Sequence, residues 1–480
     1  MKGLARQRTR IICTIGPASD SPQVLTRMVR AGMNVARINL AHGEPAAQQA
    51  RIRRIRDAAQ TLGRRVAILA DLPGPKIRIG ELPEPLFLRR GAQVLLSPGF
   101  FAEENGRILV PMELPELARP LRRGDPVYLA DGFIRLRLES ADQEGLLCRV
   151  VSGGMLRSRK GVNLPGVELL EGGVTQRDLE LLAGVLPMGI DALGISFVET
   201  GGDVQKVREE ARRLGYSPFL VAKIERRKAL LNLRDILRQA DGIMVARGDL
   251  GVETPIHGIA VLQKRLVREA RRAGKAAITA TQMLESMVQN SRPTRAEVTD
   301  VANAILDGTD GVMLSEESAI GAHPVDSVRM LVRIAAGVEG SGLQQEDPPC
   351  VAAASSTRLV ESVIACDVQA AARMLHPRFV LAPTESGATA VRISRFRLKT
   401  WILALCRSEA VCQRLCFYYG VHPVHMDPGE QGWEMAARTW LGARGVTRGL
   451  AILTQGPGPG HPGGTNRLEI LDLEKTPERE

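Results

Sequence analysis

The amino-acid sequence predicts an α/β protein built on a closed (β/α)8, or TIM, barrel that carries two further domains. Eight short apolar runs rich in β-branched residues alternate with segments of helical periodicity. Polar residues stand at the ends of several runs, and functional residues gathered from many strand ends are typical of such a barrel. This pattern favours the barrel over an open doubly wound sheet.

The elements follow one another along the chain in a regular order. The predicted strands are residues 10–15, 34–40, 66–72, 191–197, 219–225, 242–246, 276–281 and 311–315. Helical patterns cover residues 21–31, 45–61, 176–186, 204–214, 227–239, 256–273, 295–306 and 324–338. The polar residues at strand ends are Arg37, Asn39, Asp71, Lys223, Glu225, Asp249, Thr281 and Ser315.

The gap between the third and fourth strands is too long for a loop. Residues 73–158 shift to proline, glycine and short alternating runs, which predicts a small inserted β-barrel domain at the catalytic face, placed to act as a lid. The main barrel then comprises residues 1–72 and 159–340. The stretch SGLQQEDPPC predicts a linker, and residues 350–480 predict a C-terminal α/β domain.

Charge and composition exclude several classes of function. The formal net charge is +11, but the basic residues lie in mixed helical segments and aromatic residues make up 3% of the chain. We therefore expect small anionic ligands rather than a nucleic-acid partner. The sequence has no apolar stretch long enough to span a membrane and no signal-peptide core, so a cytoplasmic protein is expected. Cys406, Cys412 and Cys416 lack a recognisable metal-ligand spacing and are expected to be reduced core thiols.

The stretch from Phe219 to Gly251 holds the strongest chemical signal. Lys223 and Glu225 lie two residues apart on one predicted strand, so their side chains project to the same side. Asp249 follows the next parallel strand, about 4.8 Å away. The two carboxylates could share a metal ion beside the ammonium group. From these residues alone, a strand ion pair and a helix cap are an equal alternative.

A second signal lies in the C-terminal domain, where the turn PTESGATA follows a predicted strand. Ser386, Gly387 and Thr389 at the helix start could cradle a phosphate, although helix capping is the simpler interpretation of this motif alone. The later segment GPGPGHPGGTN is either a flexible loop or a second anion contact.

Motifs that follow one another along the whole chain resemble those of the pyruvate kinase family. They are CTIGPAS, AGMNVARINLAHG, ADLPGPKIR, RKGVNLPG, VAKIE, GIMVARGDLGVE, TATQMLESM and PTRAEVTDVANAILDGTDGVMLSEES. The resemblance implies a TIM barrel, an inserted lid, a C-terminal regulatory domain and a homotetramer. It also implies transfer of the phosphoryl group of phosphoenolpyruvate to ADP, giving pyruvate and ATP.

The resemblance also implies roles for individual residues. Glu225 and Asp249 correspond to ligands of Mg²⁺ or Mn²⁺, and Lys223 to the group that neutralises charge on the transferred phosphoryl group. Thr281 and Ser315 remain alternatives for the protonation of the enolate. The residues implied to bind phosphates and the nucleotide are Arg37, Asn39, His42, Arg78 and Lys160. The segment of Arg247, Gly248 and Asp249 is implied to bind the substrate carboxylate.

Two departures from the family pattern affect a site for K⁺. Ala41 replaces a serine in the motif NLAHG, and Lys76 replaces a glutamate in GPKIR. Asn39, Asp71 and Leu72 remain from that site. Because a carboxylate becomes an ammonium group, we expect Lys76 to supply the positive charge and K⁺ not to be required.

The turn of Thr384, Glu385, Ser386, Gly387 and Thr389 resembles the effector loop of the family. The resemblance implies activation by a phosphorylated sugar or a nucleotide monophosphate, with Glu385 opposing a second phosphate. Two other functions stay open at the level of the sequence. One is a metal-dependent aldolase acting on pyruvate enolate, and the other is a non-catalytic polyanion-binding protein.

Overall fold

A computed structural model describes residues 4–104, 106–113, 121–167, 172–343, 356–456 and 464–475. Most of the predicted linker SGLQQEDPPC and the centre of the segment GPGPGHPGGTN lie outside these residues. No helix within the described ranges is long and apolar enough to cross a membrane.

The strands fall into four consecutive groups along the chain. The barrel begins with β1 (Arg10–Thr14), β2 (Val35–Asn39) and β3 (Ala67–Leu72). The lid then supplies β4 (Leu86–Leu88), β5 (Gln93–Ser97), β6 (Ala102–Glu104), β7 (Arg107–Pro111), β8 (Pro126–Leu129), β9 (Ile134–Ala141), β10 (Leu146–Ser152), β11 (Gly154–Leu156) and β12 (Val162–Asn163). The barrel resumes with β13 (Ala192–Ile195), β14 (Phe219–Ile224), β15 (Gly242–Ala246), β16 (Ala276–Ala280) and β17 (Gly311–Leu314). The C-terminal domain contains β18 (Phe379–Pro383), β19 (Trp401–Cys406), β20 (Val421–His425), β21 (Leu450–Gln455) and β22 (Arg467–Asp472).

The helices alternate with the barrel strands as predicted and continue into the C-terminal domain. They are α1 (Pro22–Ala31), α2 (Pro45–Thr61), α3 (Gln176–Val185), α4 (Gly201–Arg213), α5 (Arg227–Leu231), α6 (Leu233–Gln239), α7 (Arg247–Glu253), α8 (Ile259–Arg272), α9 (Arg295–Leu306), α10 (Glu316–Ala319), α11 (Pro324–Gly340), α12 (Ser356–Leu375), α13 (Ala388–Ser394), α14 (Glu409–Leu415) and α15 (Gly432–Gly442).

The predicted barrel fold is confirmed. Its eight strands are all parallel and close in the order β1-β17-β16-β15-β14-β13-β3-β2. Most of their residues are buried on both faces, as expected for strands enclosed by helices on the outside and packed side chains on the inside. Parallel strands direct all their C-terminal ends to one face, which brings the strand-end polar residues together.

Two helices differ from the periodicity of the sequence. The helix predicted over residues 227–239 is broken into α5 and α6 at Asn232, whose side-chain amide donates to the carbonyl of Glu199 at 3.0 Å. Helix α4 begins at Gly201 rather than Val204, because Thr200 and Asp203 form a capping box at its start. At the start of α4, capping by side-chain hydrogen bonds overrides the hydrophobic periodicity.

The lid and the C-terminal domain each have their own sheet. The lid holds a seven-stranded sheet in the order β12-β8-β9-β10-β5-β7-β6 and a two-stranded sheet of β11 and β4. Because β12 pairs with β8, the lid sheet includes residues beyond the predicted boundary at residue 158. The C-terminal sheet has the order β20-β19-β18-β21-β22, with β22 antiparallel to β21. Cys406, Cys412 and Cys416 are free and buried there, as expected.

A buried polar seam joins the barrel to the C-terminal domain. Asp310 accepts one hydrogen bond from the backbone N–H of Ala277 in the barrel at 2.9 Å and one from that of Tyr419 at 3.0 Å. The guanidinium of Arg397 lies 3.6 Å from the ring centre of Tyr419 and donates to the carbonyls of Gly308 and Thr309. These hydrogen bonds compensate the burial of both charged groups and fix how the two domains meet.

We expect Asp310→Ala to destabilise the protein strongly, because it leaves two buried N–H groups without acceptors. The expected loss is about 2–5 kcal/mol, measured by denaturant unfolding. The control is Asp326→Ala, which removes a half-exposed carboxylate paired with Arg329 on the same helix and should cost at most about 1 kcal/mol. Equal losses in the two variants would contradict the structural role of the seam.

Candidate active site

The C-terminal mouth of the barrel gathers charged side chains from β2, β3 and β14 into one buried row. The guanidinium of Arg37 contacts Asp71 Oδ2 at 2.7 Å, and that oxygen lies 3.6 Å from Lys223 Nζ. Lys223 Nζ in turn lies 2.9 Å from Glu225 Oε1. The row therefore alternates cation and anion, and each inner charge has an opposite charge on both sides.

The row is held from outside by neutral hydrogen-bond partners. Arg37 donates to the hydroxyl of Thr14 at 3.0 Å, and Lys223 donates to the hydroxyl of Ser196 at 2.8 Å. The second oxygen of Glu225 accepts from the backbone N–H of Phe197 at 2.7 Å. Thr14 and Ser196 were not singled out from the sequence, although each lies next to the last residue of a predicted strand, which is the signal that identified their neighbours.

Burial and neighbouring charges act in opposite directions on the pKa values in this row. Burial alone lowers the pKa of Lys223, but the carboxylates of Glu225 and Asp71 outweigh it and raise that pKa above its usual value. Burial raises the pKa of Asp71, but Arg37 and Lys223 more than compensate and lower it. Lys223 is thus protonated and Asp71 ionised at neutral pH, which leaves a fixed positive charge at the barrel mouth.

Asp249, in the first turn of α7, pairs with a lysine from the start of the lid. Lys76 Nζ lies 3.0 Å from Asp249 Oδ1. Burial raises the pKa of Asp249, but Lys76, by charge and hydrogen bond, and then Lys223 lower it overall. Lys76 therefore contacts Asp249, one of the two expected metal ligands. Asp71, which was predicted to remain from the K⁺ site, instead contacts Arg37 and Lys223.

The carboxylates of Glu225 and Asp249 provide hard oxygen donors at the ends of adjacent strands. Among the residues that the structure describes, no group of three or more histidine, cysteine, aspartate or glutamate side chains is arranged to hold a metal ion. Two carboxylates are nevertheless a suitable protein contribution for Mg²⁺ or Mn²⁺, which commonly keep other positions for water and substrate phosphates. The donor set fits such an ion.

The segment after β15 is tied to the end of β16. Arg247 contacts Asp300 at 2.6 Å and donates to the carbonyl of Thr281 at 2.7 Å. The N–H of Gly248 donates to Thr281 Oγ1 at 2.9 Å, and that hydroxyl donates to the carbonyl of Ala280. Thr281 has a φ of 70°, a strained conformation for a β-branched residue that such bonds maintain.

Ser315 lies at the end of β17, next to a buried acid that sequence reasoning missed. Glu317 accepts from the backbone N–H of Ser315 at 2.7 Å and from that of Leu284 at 2.9 Å. Burial raises the pKa of Glu317. Glu317 therefore couples the loop that follows Thr281 to the loop that contains Ser315. The sequence could have indicated Glu317 only as a glutamate that closely follows a buried strand.

The residues expected to bind nucleotide lie near the stem of the lid. Arg78 forms a backbone bridge with Gly161, the neighbour of Lys160, and donates to the carbonyl of Arg159 at 3.1 Å. Burial, then Arg78, Arg37 and Arg159, lowers the pKa of His42. The structure thus brings His42, Arg78 and Lys160 into one electropositive region. Asn39 stands at the end of β2, where its side-chain oxygen accepts from the N–H of Ala41.

The expected effector turn is closed by its own side chains. Thr384 Oγ1 accepts from the N–H of Gly387 at 2.9 Å, and Ser386 Oγ accepts from the N–H of Ala388 at 3.4 Å. Gly387 has a φ of 88°, a left-handed conformation that glycine adopts without strain. The hydroxyls of Thr389 and Thr465 lie 2.6 Å apart and form a hydrogen bond. This bond connects the turn that contains Glu385 to the end of the segment GPGPGHPGGTN.

Comparison with known proteins agrees with the fold. The family model described as the pyruvate kinase barrel domain matches residues 6–328, and the one described as the pyruvate kinase alpha/beta domain matches residues 361–471. A pyruvate kinase from Thermococcus litoralis is 42% identical, covering 98% of this chain and 99% of the relative. One from Geobacillus stearothermophilus is 38% identical, covering 97% of this chain and 80% of the relative. One from Mycobacterium intracellulare is 36% identical, covering 97% and 98%.

These matches, together with the barrel, define the protein as a phosphotransferase enzyme of the (β/α)8-barrel type. The chain belongs to the pyruvate kinase family. Membership of that family implies phosphoenolpyruvate, ADP, ATP and pyruvate as its substrates and products.

We expect Gly194→Ala to disturb the charged row without touching a charged residue. Gly194 on β13 faces Asp71, and a Cβ atom at this position would lie 1.9 Å from Asp71 Oδ1. The displaced carboxylate would lose its contact with Arg37, so kcat should fall by about tenfold or more, equivalent to about 1.4 kcal/mol. Steady-state kinetics with phosphoenolpyruvate and ADP measure this change.

The matched control for this variant is Gly184→Ala. Gly184 lies within α3, where an added Cβ meets no atom within 4 Å. That substitution should leave kcat unchanged and stabilise the helix by up to about 1 kcal/mol. Unchanged kcat in Gly194→Ala would contradict the importance of the position of Asp71.

Proposed function

We propose that the protein catalyses transfer of the phosphoryl group of phosphoenolpyruvate to ADP, with Mg²⁺ or Mn²⁺ held by Glu225 and Asp249. The observation that carries the proposal is the protonated Lys223, fixed 2.9 Å from Glu225 at the barrel mouth. Glu225 and Asp249 would hold the ion, and a bound ion would supply Lewis-acid neutralisation of negative charge on the substrate. The chain itself contributes orientation, fixed positive charge and exclusion of water.

Each residue of the row has a distinct task in this proposal. Lys223 stabilises negative charge on the phosphoryl group during transfer, because it stays protonated and has little freedom to move. Arg37 binds a phosphate oxygen while Asp71 and Thr14 fix its guanidinium. His42, Arg78 and Lys160 bind the ADP phosphates from the side of the lid stem. Lid closure then excludes water from the transfer.

Binding of the substrate carboxylate is assigned to the segment Arg247 to Asp249. The Gly248 N–H reaches Thr281 Oγ1 in the structure, so substrate binding at this N–H exchanges one acceptor for another and frees the threonine hydroxyl. Protonation of the enolate is assigned to the side of the site that holds Thr281 and Ser315. Both remain candidates, and Glu317 positions the loops that hold them.

We infer that the enzyme works without K⁺, because Lys76 places an ammonium group next to Asp249. A monovalent cation in the same region would be repelled by Lys76 and would lack the hydroxyl ligand that Ala41 replaces. The proposal also includes activation by a phosphorylated sugar or nucleotide monophosphate at the turn from Thr384 to Thr389, a homotetrameric assembly and a cytoplasmic location. Family resemblance supports these three.

A coupled assay for pyruvate formation tests the activity and the role of Lys223. Wild-type protein should form pyruvate and ATP only when phosphoenolpyruvate, ADP and Mg²⁺ are all present. We expect Lys223→Met to lower kcat at least about 1,000-fold, or about 4 kcal/mol, because the charge on the transferred group loses its fixed counter-charge.

The control is Lys475→Met, which removes an exposed ammonium group distant in sequence from the barrel and should leave kcat unchanged. Circular dichroism confirms that both variants fold. Absence of ATP formation by the wild-type protein would refute the proposed reaction and leave the aldolase and polyanion-binding alternatives to be tested.

A second assay tests the independence from K⁺. In buffers with tetramethylammonium as the only monovalent cation, wild-type kcat should rise less than about twofold when K⁺ is added. Lys76→Glu restores a carboxylate and should make the rate depend on K⁺, whereas Lys76→Met should not. Tenfold activation of the wild-type protein, about 1.4 kcal/mol of barrier, would show that Lys76 does not replace the cation.

A further inference from the structure

Two chain segments connect the lid to the barrel, and together they form the lid stem. The outgoing segment, residues 73–80, leaves the barrel after β3, and the returning segment, residues 159–164, contains β12. The backbone N–H of Val162 in the returning segment donates to the carbonyl of Ile77 in the outgoing one at 2.9 Å. The two segments therefore form one hydrogen-bonded ribbon.

Both segments of the lid stem reach Asp249, one of the two expected metal ligands. Lys76, in the outgoing segment, has its ammonium nitrogen 3.0 Å from Asp249 Oδ1. Asn163, in the returning segment, forms a side-chain hydrogen bond with the same residue. Because an ionised carboxylate only accepts hydrogen bonds, the NH2 group of Asn163 is the donor. Asp249 is thus held by a cation from one segment and by an amide from the other.

The stem also packs against Phe197, the residue that holds the other expected metal ligand. Phe197 donates its backbone N–H to Glu225 at 2.7 Å and has a φ of 53°, which is strained for an aromatic residue. A Cβ atom on Gly74, in the outgoing segment, would lie 2.9 Å from Phe197 Cδ2. A Cβ atom on Gly173, which follows the returning segment, would lie 2.7 Å from the Phe197 carbonyl oxygen. The stem and the two ligands therefore share one close-packed region.

A buried carboxylate anchors the base of the stem to the barrel. Asp178, in the first turn of α3, accepts from the N–H of Gly74 at 3.0 Å and from that of Thr175 at 2.9 Å. Gly74 lies at the start of the lid segment, and Thr175 precedes α3 after the chain has returned to the barrel. Because this anchor does not involve Asn163, the lid keeps its attachment when Asn163 is changed.

The side chain of Asn163 is buried, with 8% exposure, and its two polar atoms differ in their partners. The nitrogen donates to Asp249, whereas Oδ1 accepts no hydrogen bond from any residue that the structure describes. A buried acceptor without a donor costs free energy, and a ligand or a water molecule can supply the donor. Mg²⁺ usually keeps several water molecules when it binds to a protein. An acceptor next to a metal ligand fits such a water molecule.

We propose that Asn163 is a positioning residue of the metal site, which orients Asp249 through its NH2 group and accepts a hydrogen bond from a water molecule of the bound ion through Oδ1. Hydrogen-bond partners of metal ligands commonly change metal affinity by about 10–100-fold. Because Asn163 belongs to the lid stem, it also couples the metal site to the lid. This inference rests on the proposed function, in which Glu225 and Asp249 hold the ion.

Binding of Mn²⁺ tests this role without turnover. Free Mn²⁺ is measured by electron paramagnetic resonance, without phosphoenolpyruvate or ADP, for the wild-type protein, Asn163→Leu and Asn163→Ala. Leucine has the branching of asparagine without a donor or acceptor, and alanine removes the amide without adding apolar atoms. We expect each variant to raise the Kd for Mn²⁺ by about tenfold or more. The relaxation of water protons by bound Mn²⁺ should also change, because a bound water molecule loses its acceptor.

The matched control is Gln93→Met, which removes another lid amide that donates to a carboxylate. Gln93 lies on β5, outside the stem, and donates to Glu139 at 2.8 Å. Its replacement should leave the Kd for Mn²⁺ unchanged. Glu225→Gln should abolish tight binding and so identify the measured site as the proposed one. Circular dichroism confirms that each variant folds.

A metal-free experiment tests the coupling between Asn163 and the lid. Hydrogen exchange followed by mass spectrometry reports on the stem, where the N–H groups of Val162 and Ile79 join the two segments. Without metal, exchange there should be at least about threefold faster in Asn163→Ala than in the wild-type protein, because the stem loses a contact with the barrel and opens more often. Exchange in Gln93→Met should match that of the wild-type protein at these positions.

The possible outcomes separate this inference from the proposed function. Unchanged Mn²⁺ affinity in folded Asn163→Ala would overturn the role of Asn163 at the metal site and leave the proposed reaction intact. Unchanged exchange in the stem would overturn the coupling to the lid. Absence of a Mn²⁺ site in the wild-type protein would instead refute the metal ligands of the proposed function, and the inference with them.

Discussion

The active site depends on compensation of charges that the barrel has buried. Glu225 and Asp71 are almost inaccessible to water, and Lys223 between them is largely buried. A charge buried at such a place without a partner costs several kcal/mol, about enough to unfold a marginal domain. Alternation of sign compensates the two inner charges, Asp71 and Lys223, because each lies between two opposite charges.

Close packing makes this row rigid. Gly194 on β13 has no side chain because Asp71 occupies the space where a Cβ would be, and Phe197 supplies a backbone N–H to Glu225. The chemistry and the barrel packing are therefore coupled. A change in an uncharged strand residue such as Gly194 can therefore alter the positions of the charged side chains.

The same constraint operates at the other end of the barrel with a different result. Asp310 and Arg397 are compensated there within the protein and join the two domains. In the neighbouring cavity between the two domains, carbonyl groups accept hydrogen bonds from Arg10, Arg64 and Arg444.

Lys76 connects the lid segment to a charged residue of the barrel. It comes from the first residues of the lid segment and pairs with Asp249 on the barrel. The position of its ammonium group therefore depends on how the lid is placed relative to the barrel. A bound K⁺ would provide a similar charge without a covalent connection to the lid. In the proposal of K⁺ independence, Lys76 would make the local charge independent of ion concentration and couple its position to that of the lid.

The sequence by itself determined the barrel, its eight strands, the inserted lid and the family, because strand alternation, helix periodicity and ordered motifs are local properties of the chain. It also identified Lys223, Glu225 and Asp249 as a group, since parallel strands end on one face. Only the tertiary structure decided the contacts: Asp71 with Arg37 and Lys223, Lys76 with Asp249, and Glu317 beneath Ser315. Such pairings join residues distant in sequence, and their choice depends on burial and distance, which periodicity does not encode. The interdomain cavity has no motif for the same reason, because its arginines and tryptophans come from segments that meet only in the folded chain.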